Sequence, residues 1–204
     1  MATQSTPSPI LLIIDLQQGL VESSPADWGS RSTPSLVSNA KHLLSTWRSR
    51  GWPILHVQHD DISDDTNPIA AIHPETYAIH PCAAPEGDEP VFVKNVGSPF
   101  VASGLKAKVE ELGALGGKDG KGEKRKIVVI GMDAAQCVND TTRNGTDLGY
   151  KIVVVGDATA AFGMEDWISG KQITGEETHR AAMSMLCGYA TVTTTEKALS
   201  VLGY

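Results

Sequence analysis

The sequence predicts an α/β protein built on a parallel, doubly wound sheet, and three observations carry that prediction. Residues 127–130 and 152–155 are uninterrupted apolar runs, the signature of strands covered on both faces. The segment between them is long enough for a crossover helix, so the three pieces read as one βαβ unit. Elsewhere, short apolar runs alternate with stretches whose apolar residues recur at i, i+3 and i+4, and that alternation gives a parallel sheet with right-handed crossovers. With 204 residues, 41% apolar and 20% charged, a single domain over residues 1–204 is expected.

The first strand covers 10–15 and ends in Asp15. Residues 17–33 are polar and rich in Gly, Ser and Pro, hence a loop, within which Trp28 either lines a pocket or covers the core. Leu36, Val37, Ala40, Leu43, Leu44 and Trp47 mark an amphipathic helix that stops at Gly51. Residues 53–58 form the second strand. The connection at 59–90 holds five prolines and three histidines, and a loop of such length in a compact domain usually serves function. A third strand, 91–94, ends in Lys94, and Leu105, Val109 and Leu112 mark the helix after it. The glycine- and lysine-rich tract 116–126 reads as a solvated connector, because its glycines follow no phosphate-cradle pattern. Past Asp157 a mobile loop over 160–173 leads to Thr174-Gly175-Glu176-Glu177, a capping box that opens a helix to Gly188. A last strand at 190–194 and a closing helix over 196–202 complete the chain.

Cys137 opens the helix of the βαβ unit, where unpaired backbone N–H groups and the positive end of the helix dipole favour a thiolate. In isolation such a cysteine is more often a small buried apolar residue, just as Asp15 or Lys94 alone is an ordinary strand-end charge. Together the three stand at the carboxyl ends of three strands, where open α/β sheets place their ligands. An acid, a lysine and a cysteine there make a nucleophile with a base and a pKa-lowering cation. The expected chemistry is acyl transfer: Asp15 takes the thiol proton, and backbone N–H groups at Asp133 and Cys137 receive the oxyanion. Lys94 poses a difficulty, since strand 3 lies two strands from strand 1, roughly 10 Å away at ~4.8 Å per strand. The chain after Val93 is therefore expected to curl inward.

These residues lie in longer patterns: Leu11-Leu12-Ile13-Ile14-Asp15-Leu16-Gln17-Gln18-Gly19, His80-Pro81, Glu89-Pro90-Val91-Phe92-Val93-Lys94, Ser98-Pro99-Phe100, Gly131-Met132-Asp133-Ala134-Ala135-Gln136-Cys137-Val138, Gly149-Tyr150 and Asp157-Ala158-Thr159-Ala160. In order and spacing the chain resembles the isochorismatase-like cysteine hydrolases, which include nicotinamidase and N-carbamoylsarcosine amidase, over about residues 9–202. The resemblance implies a three-layer Rossmann-like fold with a six-stranded parallel sheet in the order 3-2-1-4-5-6. It also implies a cis peptide at Met132–Asp133, a catalytic triad of Asp15, Lys94 and Cys137, and a homodimer or higher homo-oligomer. The candidate substrate contacts are Gln18, Trp28, Phe100 and Phe162.

Two departures bear on substrate preference. Asp133 sets a carboxylate beside the oxyanion donors, and Pro99 removes an amide donor after Lys94. A third concerns metal: nicotinamidases carry Asp-x-His after the second strand, whereas this chain has Gln58-His59-Asp60-Asp61. No metal or other cofactor is therefore expected, and His56, His59, His73 and His80 are read as polar packing or substrate contacts.

The net charge of −7 disfavours nucleic acid or an anionic membrane as partner and leaves small molecules. Three widely spaced cysteines suggest neither a disulfide framework nor a Cys-x-x-Cys metal site. The amino terminus lacks the regions of a signal peptide, and no apolar run approaches the ~20 residues of a membrane span. A cytoplasmic location is expected, with the sequons at Asn139 and Asn144 unused. The leading reading is an amidohydrolase cleaving a small amide or carbamoyl compound through a thioester. Two alternatives stay open, an isochorismatase-type vinyl-ether hydrolase needing no thiol and a noncatalytic interaction module on the same fold.

Overall fold

The computed structural model describes residues 7–24, 26–116 and 122–201. Parts of the amino-terminal segment, of the basic connector (117–121) and of the closing helix (202) therefore lie outside the described residues. In chain order the strands are β1 (Ile10–Ile14), β2 (Ile54–His59), β3 (Val91–Lys94), β4 (Lys126–Gly131), β5 (Lys151–Thr159), β6 (Met164–Glu165), β7 (Gln172–Ile173) and β8 (Thr191–Thr193). The helices are α1 (Gln18–Val21), α2 (Leu36–Ser49), α3 (Pro74–Tyr77), α4 (Leu105–Glu111), α5 (Cys137–Asp147), α6 (Gly175–Leu186) and α7 (Thr195–Val201).

Six strands form one sheet in the order β3-β2-β1-β4-β5-β8, with every neighbouring pair parallel. Since β6 and β7 pair only with each other, β8 is the sixth strand of the main sheet, and the order is the expected 3-2-1-4-5-6. Side-chain alternation divides the core between two faces. From β1, Leu11 and Ile13 pack with Leu36, Leu43 and Trp47 of α2. Ile10, Leu12 and Ile14 face the opposite layer, with Leu105 and Val109 of α4, Val138 of α5 and Leu186 of α6. Both faces of the central strands are covered, which is why β1 and β4 read as continuous apolar runs.

Three segments read as loops hold short elements. The stretch 17–33 contains α1, and the connection 59–90 contains α3 and a 3-10 turn at Pro81–Ala83. The loop expected to be mobile at 160–173 is closed by the β6–β7 ribbon. The order of the central strands places β1 beside β4 at the point where the sheet's winding reverses, the place where open α/β sheets put their ligands. Gly131, the last residue of β4, has φ +125°, and a Cβ there would lie 1.9 Å from the Ile14 carbonyl oxygen. Only glycine lets the two strand ends approach so closely.

Candidate active site

Asp15 follows β1 directly, and its φ of 49° is a left-handed conformation that non-glycine residues adopt rarely and Asp more readily than most. The turn aims the carboxylate back over the strand ends, while the Asp15 N–H stays bonded to the Val57 carbonyl at 3.0 Å. Lys94 arrives from the sheet edge. It remains within β3, in register with His59, so the expected curl after Val93 does not occur. The reach comes from the side chain, whose four-carbon stem crosses the end of β2.

Its ammonium lies 2.7 Å from Asp15 Oδ2, 2.8 Å from His59 Nδ1 and 3.2 Å from Cys137 Sγ. A lysine ammonium has three N–H donors; here it hydrogen-bonds His59 and Cys137 and pairs with Asp15 by charge. The side chains of Lys94 and Asp15 are both buried, so the charge cluster is held in a setting of low dielectric.

Cys137 is the first residue of α5, which begins without a side-chain cap. Four of the six N–H groups from Asp133 to Val138 have acceptors. Ala134 N–H bonds the Ala160 carbonyl, and the N–H groups of Gln136 and Val138 share the Asp133 carbonyl. Ala135 N–H bonds Asp133 Oδ1 at 2.6 Å. The N–H groups of Asp133 and Cys137 have no acceptor among the described residues. The Met132–Asp133 peptide is cis.

The electrostatics reverse one expectation. Burial pushes the Cys137 thiol up to about 12, the Asp15 charge adds to the rise, and Lys94 only partly opposes it. Desolvation of a thiolate is the largest of these influences. Asp15 is also raised, by burial first, against Lys94. Two groups that both resist ionisation beside a single cation titrate as a pair.

Asp133 does not point a free charge at the oxyanion donors. Its Oδ1 accepts from Ala135, and its Oδ2 accepts the Phe162 N–H at 2.8 Å. The carboxylate thus ties the turn before Cys137 to the segment after β5. Phe162 in turn stacks on Trp28 with ring centroids 5.6 Å apart, so these two candidate contacts stand together against that turn. Phe100 is different: its ring lies 5.2 Å from Tyr150 in the core behind α5, where Gly145 leaves room for it. Its ring is buried there. Gln18 opens α1, and its side chain forms no hydrogen bond among the described residues.

Two members of the cluster go beyond the sequence reading, which took His59 as polar packing or a substrate contact and did not single out Gln17. His59 meets Lys94 directly. Gln17, fully buried, brackets His59 by accepting its N–H at 2.9 Å and donating to its carbonyl at 3.0 Å. It also donates to the Tyr77 carbonyl at 2.9 Å. The readable signal for His59 was its place at the end of a strand between those carrying Asp15 and Lys94. A buried glutamine one turn beyond a strand carries no such signal. The other three histidines named from the sequence make polar contacts: His56 Nε2 lies 2.9 Å from Glu89, His73 Nε2 lies 2.7 Å from the Asp65 carbonyl, and His80 Nδ1 accepts the Cys82 N–H.

Asp15, His59 and Cys137 have ligand-type atoms all within 4.8 Å of one another. The Lys94 ammonium touches all three, so a metal ion would meet a fixed positive charge within the ligand set. The donor set fits a lysine and does not fit a metal cation.

The isochorismatase domain family matches residues 9–197. Isochorismatase family protein YrdC of Bacillus subtilis is 33% identical over 158 residues, covering 76% of this chain and 75% of that protein. YddQ of the same organism is 33% identical over 189 residues, 91% of this chain and 96% of its own length. Among solved structures, a hydrolase of the isochorismatase family from Chromobacterium violaceum superposes with a TM-score of 0.84 at 29% identity, covering 100% of this chain and 97% of the other. Agreement of this extent, in sequence and in fold, makes the chain a member of the isochorismatase family.

Proposed function

We propose that the protein is a cysteine amidohydrolase that cleaves a C–N bond of a small amide or carbamoyl compound through a thioester on Cys137. The observation that carries this reading is the Lys94 ammonium in contact with both Asp15 and Cys137. In the first half-reaction Asp15 accepts the thiol proton as Sγ attacks the carbonyl carbon. Negative charge gathers on the carbonyl oxygen, facing the N–H groups of Asp133 and Cys137. As the C–N bond breaks, Asp15 returns the proton to the leaving nitrogen. In the second half Asp15 takes a proton from water, the hydroxide attacks the thioester carbon, and the proton goes to the departing sulfur.

Lys94 offsets the single negative charge that moves between carboxylate and sulfur, so neither form is stranded in the buried site. All three described cysteines are free, which supports a reducing cytosol as the working compartment, and the reading needs no cofactor. An ammonia-release screen over small amides and carbamoyl compounds, with wild type beside Cys137→Ala, tests the proposal. Turnover by the wild type and a loss of about 10³-fold or more in the variant are expected. A Cys137→Ala protein that kept its activity would shift the reading to thiol-independent vinyl-ether hydrolysis.

A further inference from the structure

His59 is not one of the three residues to which the proposed mechanism gives a step, yet it completes the coordination of Lys94. The contact between Lys94 Nζ and His59 Nδ1 is 2.8 Å; the ammonium also hydrogen-bonds Cys137 Sγ and forms an ion pair with Asp15. An ammonium has no lone pair, so Nδ1 must accept, which leaves the ring hydrogen on Nε2. The backbone that carries the ring is held in place, because Gln17 bonds both the main-chain N–H and the main-chain carbonyl of His59.

We propose that His59 is a positioning residue for Lys94, required as the neutral Nε2–H tautomer, and that its protonation disables the Cys137 nucleophile. A proton on Nδ1 would turn the acceptor into a donor and set two cations 2.8 Å apart. Lys94 would then leave its place between Asp15 and Cys137.

The groups facing His59 come from every neighbouring element: Asp15 after β1, Lys94 on β3, Cys137 on α5, and Asp60 and Asp61 on the segment after β2. The carboxylates favour the imidazolium. Burial first, and Lys94 second, hold the ring below its ordinary range, so the neutral form is the one present near pH 7. Acidification through that lowered range removes it. The acid side of the pH profile then contains two protonations, one on His59 and one on the Asp15–Cys137 pair.

The proposal rests on Cys137 as the nucleophile, and its test needs no substrate, so a failed amide screen does not decide it. The rate of Cys137 alkylation by iodoacetamide is followed against pH by peptide mass spectrometry in wild type, His59→Asn and His59→Leu. Asparagine offers an oxygen near the position of Nδ1 and does not titrate. At the acid end the wild-type rate is expected to fall by more than about tenfold per pH unit, and the His59→Asn rate by about tenfold, since one proton fewer is bound. Above neutrality His59→Asn should stay within about threefold of wild type, and His59→Leu should lose about tenfold or more. Nitrogen-15 spectra of the wild type at pH 7.5 should show His59 protonated at Nε2 and bare at Nδ1. Superimposable pH profiles for wild type and His59→Asn, or a proton found on Nδ1, would overturn the proposal even if His59→Leu failed to fold.

Discussion

Lys94 is the residue on which the site's charges depend, because its ammonium is the counter-ion 2.7 Å from a buried Asp15. Removing it leaves that carboxylate with a choice between an uncompensated charge and a proton. Asp15 is already raised by burial against the pull of Lys94, so Lys94→Ala raises it further. A carboxylate raised in the folded state is tolerated at low pH and destabilises as pH rises through its folded value. The melting temperature of Lys94→Ala, compared with wild type, should therefore fall more at pH 8 than at pH 5. Cost at pH 8 is about 3 kcal/mol, or about 6–12 °C in a chain of this size. An equal or larger loss at pH 5 would contradict the charge assignment. At this scale the sequence was legible where a residue's type and strand-end place agree, as for Asp15, Lys94 and Cys137. The burial of Phe100 behind α5 was not legible, since it depends on Gly145 coming close in space. The sequence was misleading for the Cys137 thiol, since the helix start is visible in sequence but the depth of burial is not.

Among the elements, α6 was legible in detail. Thr174 Oγ1 accepts the Glu177 N–H at 3.2 Å while Glu177 Oε2 accepts the Thr174 N–H at 2.9 Å, the reciprocal pair that the four-residue motif encodes. Thr174→Ala should cost about 1 kcal/mol, seen as a melting temperature lower by about 2–4 °C. An unchanged melting temperature would mean that the cap contributes nothing to α6. The short elements were not legible: α1 and α3 have 4 residues each and β6 and β7 have 2 each. No periodicity of 3.6 or 2 can be read from segments of such length. The reach of Lys94 was misjudged for a related reason. The distance between β3 and β1 was readable from the sheet order, but whether backbone or side chain spans it depends on the register of His59 with Lys94.

For the whole molecule, the winding of the sheet decides where chemistry is possible. It brings β1 and β4 side by side and sets Asp15 and Cys137 close together at their carboxyl ends. The overall order came from the resemblance, while the parallel sheet itself was readable from apolar runs and helical stripes. Away from these strand ends, Met164, Trp167 and Ile168 of the β6–β7 ribbon are exposed, Trp167 by 89%. We propose that a second copy of the chain covers this ribbon, in keeping with an apolar surface of this kind on a soluble oligomer. Light scattering at micromolar concentration should give at least twice the monomer mass, and a monomer would reject the assembly without touching the site. The central claim is that Cys137 forms a covalent acyl intermediate with Asp15 handling the proton. Its most direct measurement is intact and peptide mass spectrometry of the enzyme quenched during turnover of a slow amide or ester. The account predicts an acyl increment on the peptide containing Cys137 that hydroxylamine removes and that Asp15→Asn suppresses. Steady turnover with no adduct on Cys137, retained in Cys137→Ala, would contradict it.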